Sequence, residues 1–195
     1  MSRSRETTRS FISFIIPYRE SETHPRDRAD ECVEHIKQSV PTGAVIVAGS
    51  SGDDFSRAKA LNFGIQMADG EYLAPMDVDL RLPEHFWRNV RPMLHPNAFL
   101  IFDFWEGGKP YHPGTPGGLN IFHRELYERS GGYCTEYEGY GYEDYDLRDR
   151  MKDCGADIVY TGIKIEHIPH PQVEGIHEQL KRNEMVYIRR TAGGE

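Results

Sequence analysis

The sequence predicts an α/β domain in which a central sheet carries helices on both sides. Strand and helix patterns alternate through the first half of the chain, which is typical of this class. The 195 residues are 38% hydrophobic, which suits one sizeable core. We therefore expect a single domain over residues 11–195, preceded by a polar, basic tail of residues 1–10.

The predicted strands are short apolar runs bounded by turn-forming or acidic residues. They cover residues 11–16, 44–48, 71–76, 98–102, 119–122 and 157–165. The predicted helices carry apolar residues three or four positions apart, and they cover residues 29–40, 58–68, 83–94, 124–130, 143–154 and 178–190. Pro83 suits the first position of its helix, and Gly70 suits a C-terminal cap.

One connection stands out by its composition. Residues 107–118 hold five Gly and three Pro, which predicts a long irregular segment and a candidate functional loop. The glycines of the chain form neither GxGxxG nor GxxxxGK[ST], so no dinucleotide-binding fold or P-loop is indicated.

The composition argues against several classes of protein. A formal net charge of −8 argues against a nucleic-acid binder, although a local basic pocket for one nucleotide diphosphate remains compatible. Three cysteines without CxxC spacing argue against a disulfide scaffold or zinc site and favour a reducing compartment. The early apolar run is far too short to span a bilayer, so we expect no membrane segment in this chain and a cytoplasmic location.

Asp77-Val78-Asp79 stands at the carboxyl end of a predicted strand, where open α/β sheets bind ligands. Two carboxylates one residue apart can reach a hard cation and the phosphates beside it. On spacing alone an acidic turn is an equally good interpretation.

Residues 139–146, Gly-Tyr-Gly-Tyr-Glu-Asp-Tyr-Asp, are more distinctive. Acidic residues that open a helix complement its dipole, but this does not explain the alternation of glycine with aromatics. The alternation suits a surface on which a sugar ring stacks, and a carboxylate of the first turn suits a general base.

Two other segments are candidate parts of a functional site, but each is a weak indication by itself. Residues 55–59, Phe-Ser-Arg-Ala-Lys, place an aromatic and a cation where a helix begins, a position that attracts anions. Three histidines follow the last predicted strand and suit a transition metal, although a lone surface histidine is usually only solvated. They are His167, His170 and His177.

Together these segments resemble the catalytic domain of β-1,4-galactosyltransferases (glycosyltransferase family 7) and, more loosely, other inverting enzymes of the GT-A fold. The resemblance runs in family order from Phe14 to His167 and implies a mixed central sheet flanked by helices. The segments that carry it are residues 15–19, 55–64, 77–80, 117–118 and 139–146.

The resemblance also implies residue roles. It implies that the uridine diphosphate donor is bound by Pro17, Tyr18, Arg19, Phe55 and Arg57, and that the donor site is lined by Asp77 and Val78. It implies Mn²⁺ or another divalent cation on Asp79 and His167. It implies Asp144 as catalytic base, Glu143 as its acidic neighbour in the sugar site, and Gly118 and Tyr140 against the sugars.

Four positions depart from the family pattern. Lys164 stands where the family has a methionine ligand, which makes His170 an alternative ligand. Tyr142 and Tyr145 replace a glycine and an aspartate, which bears on acceptor recognition. Thr115 replaces a tyrosine that restricts the donor pocket, so an N-acetyl group would have room there.

The predicted function is a metal-dependent inverting glycosyltransferase that moves a hexose or N-acetylhexosamine from a UDP-sugar to a hydroxyl of a glycan or other acceptor. The sequence shows no counterpart of the membrane anchor and stem of the Golgi enzymes in this family, so we expect a bacterial or viral origin. Alternatives are a retaining glycosyltransferase, a nucleotidyltransferase, and a non-catalytic nucleotide- or carbohydrate-binding module on the same fold.

Overall fold

The structure is a computed structural model that describes residues 10–22, 24–49, 55–171 and 175–193. Nearly all of the predicted N-terminal tail lies outside these residues. The strands are β1 Ile12–Pro17, β2 Ala44–Ala48, β3 Tyr72–Pro75, β4 Leu80–Arg81, β5 Ala98–Glu106, β6 Lys109–Pro110, β7 Asn120–His123 and β8 Asp157–His167. The helices are α1 Arg26–Ser39, α2 Arg57–Met67, α3 Phe86–Val90, α4 Arg124–Ser130, α5 Glu143–Asp153 and α6 Ile176–Thr191.

These strands form one mixed sheet in the order β2-β1-β3-β7-β5-β8-β4, with β6 paired to β5. β1 pairs in parallel with β2 and β3, and β5 pairs in parallel with β8. β7 runs antiparallel to both β3 and β5, so β5 has the direction of β3. The carboxyl ends of β1, β3, β5 and β8 therefore lie at one edge of the sheet, where ligands of α/β folds bind.

Helices cover both faces of this sheet, as the sequence predicts. Successive side chains of a strand point to opposite faces. Phe14 and Ile16 accordingly pack in a core cluster that includes residues of α1 and α3. Ile15 packs in a second cluster with residues of α2, α4 and α5.

Two predicted helix boundaries are wrong. Pro83 does not open α3, because His85 has a left-handed backbone (φ 60°) and the helix begins at Phe86. Gly70 is not a helix cap, since α2 ends at Met67. Gly70 instead allows close packing: a Cβ there would lie 2.6 Å from the backbone nitrogen of Ser13.

The segment rich in Gly and Pro is regular only at its start, and residues 111–118 form no helix or strand, as predicted. Gly107 and Gly108, both with positive φ, form the two-residue turn between β5 and β6. This φ combination matches the tight turns that suit strand twist in hairpins. The short strands β4 and β6 were not predicted. Within the described residues, no helix combines the length and apolarity that a bilayer crossing requires.

Candidate functional site

Arg57 lies at the centre of a buried ion cluster at the sheet edge. It is the first residue of α2 and is 2% exposed. Its Nε donates to Oδ1 of Asp77 at 2.9 Å. Its Nη1 donates to Oε1 of Glu143 at 2.9 Å and to Oδ2 of Asp144 at 2.7 Å. One guanidinium thus joins the end of β3 to the first turn of α5.

Local backbone contacts fix where Arg57 sits. The Ser56 hydroxyl caps α2 by accepting from the backbone nitrogen of Lys59. The backbone nitrogen of Arg57 donates to the carbonyl of Gly139 at 3.2 Å, which ties the start of α2 to the segment before α5. The acidic residues that follow this segment lie in the first turn of α5, where the helix dipole favours negative charge.

The carboxyl of Asp144 has an unusual pKa. Burial raises it to about 7, and although Arg57 opposes this effect, the charges of Glu143 and Asp77 reinforce it. The hydroxyl of Tyr133 donates to Oδ1 of Asp144 at 3.1 Å. A carboxyl with a pKa near neutrality suits proton transfer at physiological pH.

Two polar atoms of this cluster have no hydrogen-bond partner among the described residues. They are Nη2 of Arg57 and Oε2 of Glu143, both buried. Buried polar atoms are rarely left unpaired, because this costs about 1–3 kcal/mol each. The cluster therefore retains hydrogen-bonding capacity for a ligand or a water molecule.

A second cluster surrounds Asp79, two residues beyond Asp77. The Nε2 atoms of three histidines approach its Oδ2: His170 at 2.9 Å, and His24 and His167 at 3.5 Å each. Asp79 is 7% exposed. Its carbonyl also accepts from the backbone nitrogen of Ile168 at 2.8 Å, just after β8.

The sheet edge explains this convergence. His24 follows β1, Asp79 follows β3, and His167 and His170 come at and just after the end of β8. Leu80 of β4 pairs with His167, which places Asp79 beside that histidine. Glu106, the last residue of β5, accepts at 2.7 Å from Nδ1 of His167 and leaves Nε2 directed at Asp79.

Asp79 and two of the histidines shift one another's pKa values. Burial acts to raise the pKa of Asp79, but hydrogen bonds from His167, His170 and His24 hold it well below its usual range. Burial acts to lower the pKa of His167, but Asp79 and Glu106 raise it overall. The hydrogen bond to Asp79 likewise raises the pKa of His170.

The donor set fits a divalent transition metal. His24, Asp79 and His170 offer ligand atoms that all lie within 4.8 Å of one another. An ion bonded at about 2.1 Å places neighbouring ligand atoms about 3.0–3.4 Å apart, close to the distances around Asp79.

Lys164 does not contribute to this donor set, because its Nζ lies 3.7 Å from the ring centroid of Trp105. Tyr111 stacks on the ring of His167 with a centroid distance of 4.5 Å.

The other predicted site residues lie along the same edge or near it. Pro17 ends β1, and the Tyr18 hydroxyl donates to the carbonyl of His24 at 3.0 Å. The carbonyl of Gly118 accepts from the backbone nitrogen of Asp77 at 2.8 Å. Val78 is buried, Phe55 is half-buried, Tyr140 is 45% exposed and Arg19 is exposed. His177 is exposed on α6, and it is not one of the three histidines that approach Asp79.

Helix α6 packs against the segment that precedes α5. Asn183, 1% exposed, donates from Nδ2 to the carbonyls of Glu138 (2.9 Å) and Tyr140 (3.1 Å). Gly141 has a backbone conformation (φ 106°) that residues with side chains rarely adopt, and a Cβ there would also contact the side chain of Leu180. The aromatic rings of three tyrosines also pack together here, and they are Tyr142, Tyr145 and Tyr187. Two of the departures from the family pattern therefore contribute to the packing of α6.

Sequence reasoning missed four residues of this edge: His24, Glu106, Tyr133 and Asn183. A signal for Glu106 was present, because it lies soon after the carboxyl end of a predicted strand. His24 lies farther along the chain from one, in a polar connection without a periodic pattern. Tyr133 and Asn183 follow no strand end and carry no such signal.

The chain is similar in sequence to known galactosyltransferases. Residues 100–174 match the family described as the N-terminal domain of galactosyltransferase. The human β-1,4-galactosyltransferase 3 is 28% identical over 188 residues, which is 91% of this chain and 47% of that protein. Human β-1,4-galactosyltransferase 4 is 27% identical over 150 residues, 72% of this chain and 42% of the relative. The chain thus spans less than half the length of these relatives.

Solved structures share the fold. The catalytic domain of Drosophila β-1,4-galactosyltransferase 7, in complex with xylobiose, superimposes with a TM-score of 0.66 at 20% identity, covering 86% of this chain and 77% of the other. A mutant of that enzyme, in complex with manganese, UDP-Gal and xylobiose, gives 0.61 at 19% identity, covering 86% and 78%. These likenesses establish a GT-A fold with a mixed sheet flanked by helices.

Proposed function

We propose that this chain, a GT-A domain similar to the galactosyltransferases of glycosyltransferase family 7, is a metal-dependent inverting glycosyltransferase. It moves a hexose or N-acetylhexosamine from a UDP-sugar to a hydroxyl of a glycan or other acceptor. One observation carries the proposal. Asp77 binds Arg57 in the cluster of Asp144, while Asp79, two residues on, lies among the histidines. A candidate base and a candidate cation site are therefore joined by one short segment.

The reaction is a single displacement. The acceptor oxygen forms a bond to C1 of the sugar while the bond from C1 to the diphosphate oxygen breaks. Asp144 takes the proton of the attacking hydroxyl, a role that its pKa of about 7 supports. A divalent cation held by Asp79 and His167, with His170, would supply positive charge to the departing diphosphate.

The remaining residues bind and orient the substrates. The unpaired Nη2 of Arg57 and Oε2 of Glu143 offer hydrogen bonds to donor-sugar hydroxyls. The half-exposed ring of Tyr140 offers a stacking surface. Gly118, whose carbonyl accepts from the backbone nitrogen of Asp77, lies against the sugars in this proposal. Uridine diphosphate binding falls to Pro17, Tyr18, Arg19, Phe55, Arg57, Asp77 and Val78.

The test is transfer from a panel of UDP-sugars to a panel of sugar acceptors, with Mn²⁺ and with chelator. We expect Mn²⁺-dependent product whose anomeric configuration, read by NMR, is opposite to that of the donor. A product of retained configuration would contradict the inverting mechanism. Binding of UDP with Mn²⁺ but no transfer across the panel would favour the non-catalytic module. The extent of the domain over residues 11–195 is part of this proposal, and a cytoplasmic location stays a prediction.

A further inference from the structure

The connection between β1 and α1 places a histidine at the candidate cation site. His24 follows the carboxyl end of β1, and its Nε2 points at the same carboxylate oxygen, Oδ2 of Asp79, as that of His170. Its ring lies 4.4 Å from that of His170, centroid to centroid. The sequence motifs that indicate a glycosyltransferase do not include this residue.

We propose that His24 is a ligand of the cation, so that three imidazoles and one carboxylate form a nitrogen-rich site that prefers Co²⁺ and Zn²⁺ to Mg²⁺. The inference rests on the proposed function only in that the cluster around Asp79 holds a cation.

Hydrogen bonding alone accounts poorly for the arrangement. A carboxylate oxygen has two lone pairs, yet three ring nitrogens converge on Oδ2 of Asp79. Only the 2.9 Å contact of His170 has an ordinary hydrogen-bond length, and the contacts of His24 and His167 are long at 3.5 Å. The ligand atoms of His24, Asp79 and His170 also lie within 4.8 Å of one another, as expected for neighbouring ligands of one small cation.

The local structure holds His24 in position for this role. Its backbone nitrogen donates to the carbonyl of Ser21 at 3.2 Å, and its carbonyl accepts from the nitrogen of Ser21 at 3.1 Å. The hydroxyl of Tyr18 donates to the same carbonyl at 3.0 Å. A cation bound to His24 would therefore also fix the segment that carries Tyr18 and Arg19, two proposed donor contacts.

The donor set determines the metal preference. Imidazole nitrogen suits cobalt, nickel, copper and zinc, whereas Mg²⁺ selects oxygen ligands in octahedral geometry. With His24 included, imidazole nitrogens outnumber the carboxylate oxygen by three to one. Loss of His24 should therefore weaken Co²⁺ and Zn²⁺ far more than Mg²⁺.

The test uses the whole chain with the metal alone. Titration calorimetry and the visible spectrum of bound Co²⁺ compare wild type with His24→Ala and with the control His177→Ala, a histidine exposed on α6. We expect His24→Ala to weaken Co²⁺ at least about tenfold, as losses around metal sites typically do, and to change the spectrum. His177→Ala should match wild type. Equal Co²⁺ affinity and an unchanged spectrum in His24→Ala would overturn the proposal.

X-ray absorption of the Zn²⁺-loaded protein counts the imidazoles at the metal. We expect one imidazole fewer in His24→Ala than in wild type, and an equal count in both would overturn the assignment of His24. Asp79→Asn separates the inference from the proposed function. If it binds Co²⁺ as wild type does, both fail. If it loses Co²⁺ while His24→Ala does not, only the role of His24 fails.

Discussion

The Nη1 atom of Arg57 lies 2.7 Å from Oδ2 of Asp144, inside the fold and away from water. The same atom also contacts Glu143, and Nε of the same side chain contacts Asp77. One buried cation therefore faces three carboxyl groups. Burial raises the pKa of Asp144 despite the ion pair with Arg57, and the charges of Glu143 and Asp77 add to this rise. The proposed base and the proposed donor contacts are electrostatically one unit.

Asp144→Asn should abolish transfer and leave nucleotide binding intact. The amide keeps the shape of the side chain but cannot take the acceptor proton, so we expect a loss of about 10²–10⁴-fold in kcat. The dissociation constant of UDP with Mn²⁺, measured by calorimetry, should stay within about threefold, which corresponds to about 0.65 kcal/mol. Asp153→Asn, an exposed position on the same helix, is the control. Wild-type turnover in Asp144→Asn would remove the base assignment.

Arg57→Ala should destabilise the fold strongly. It leaves the carboxyl groups of Asp77, Glu143 and Asp144 without their shared cation, and removal of one partner from a buried ion pair costs about 3–5 kcal/mol. Urea denaturation measures the loss, with Lys59→Ala, exposed on the same helix, as the control. Protonation of the carboxyl groups relieves their repulsion, so the loss should shrink as pH is lowered. An equal loss at every pH would contradict this electrostatic explanation.

Asn183→Ala should affect turnover more than nucleotide affinity. Its amide holds the carbonyls of Glu138 and Tyr140, and loss of buried hydrogen bonds of this kind costs about 1–3 kcal/mol. Since the segment leads directly into the first turn of α5, kcat should fall while UDP binding changes little. Asn89→Ala, exposed on α3, provides the comparison. A proportional loss of kcat and of UDP affinity would indicate general unfolding instead.

The sequence predicts more of the fold than of the site. Strand periodicity and the alternation of strands with helices specify the sheet and its two-sided core, because burial imposes both patterns. The resemblance also indicates Asp79 and His167, which the structure places 3.5 Å apart. It does not indicate the partners of Arg57, since ion pairs between residues 20 to 87 positions apart leave no local pattern.

The two wrong helix boundaries and the missed residue His24 also have physical explanations. Pro83 and Gly70 are ordinary helix signals, but tertiary packing decides otherwise at both positions. His24 lies in a polar connection with no periodic pattern, and only the pairing of β1 with β3 brings that connection to Asp79. Strand order is a long-range property, so the meeting of these residues follows from topology and not from spacing.

Glu106→Gln should weaken metal binding without removing a ligand. Glu106 accepts from Nδ1 of His167, which fixes the ring and leaves Nε2 for the cation. Such supporting partners are typically worth about 10–100-fold in metal affinity. Calorimetry with Mn²⁺ or Co²⁺ tests the effect. Glu166→Gln is the matched control, because its amide oxygen can still accept from the backbone nitrogen of Gly107. Similar affinities in both variants would exclude a role for Glu106 in orienting His167.

The pH dependence of transfer should report Asp144. Its pKa of about 7 means that the base is largely protonated below neutrality, so kcat/KM should fall about tenfold per pH unit below 7 and level off above it. Metal binding also strengthens as pH rises, because the raised pKa values of His167 and His170 make protons compete with the cation. The profile must therefore be measured at saturating metal, confirmed at each pH. A flat profile between about pH 5.5 and 8.5 would contradict a base of this pKa.

The same carboxyl should leave a signature in stability. The pKa of Asp144 is raised from 3.8 to about 7, so between these values the folded chain holds a proton that the unfolded chain has released. The free energy of unfolding then falls as pH rises through this window, because the folded state binds more protons. Asp144→Asn cannot lose that proton, so its stability relative to wild type should rise with pH from about 4 to about 7. Urea melts of both proteins across this range, with chelator present, give the difference directly. A difference that stays constant with pH would show that burial does not raise the pKa of Asp144.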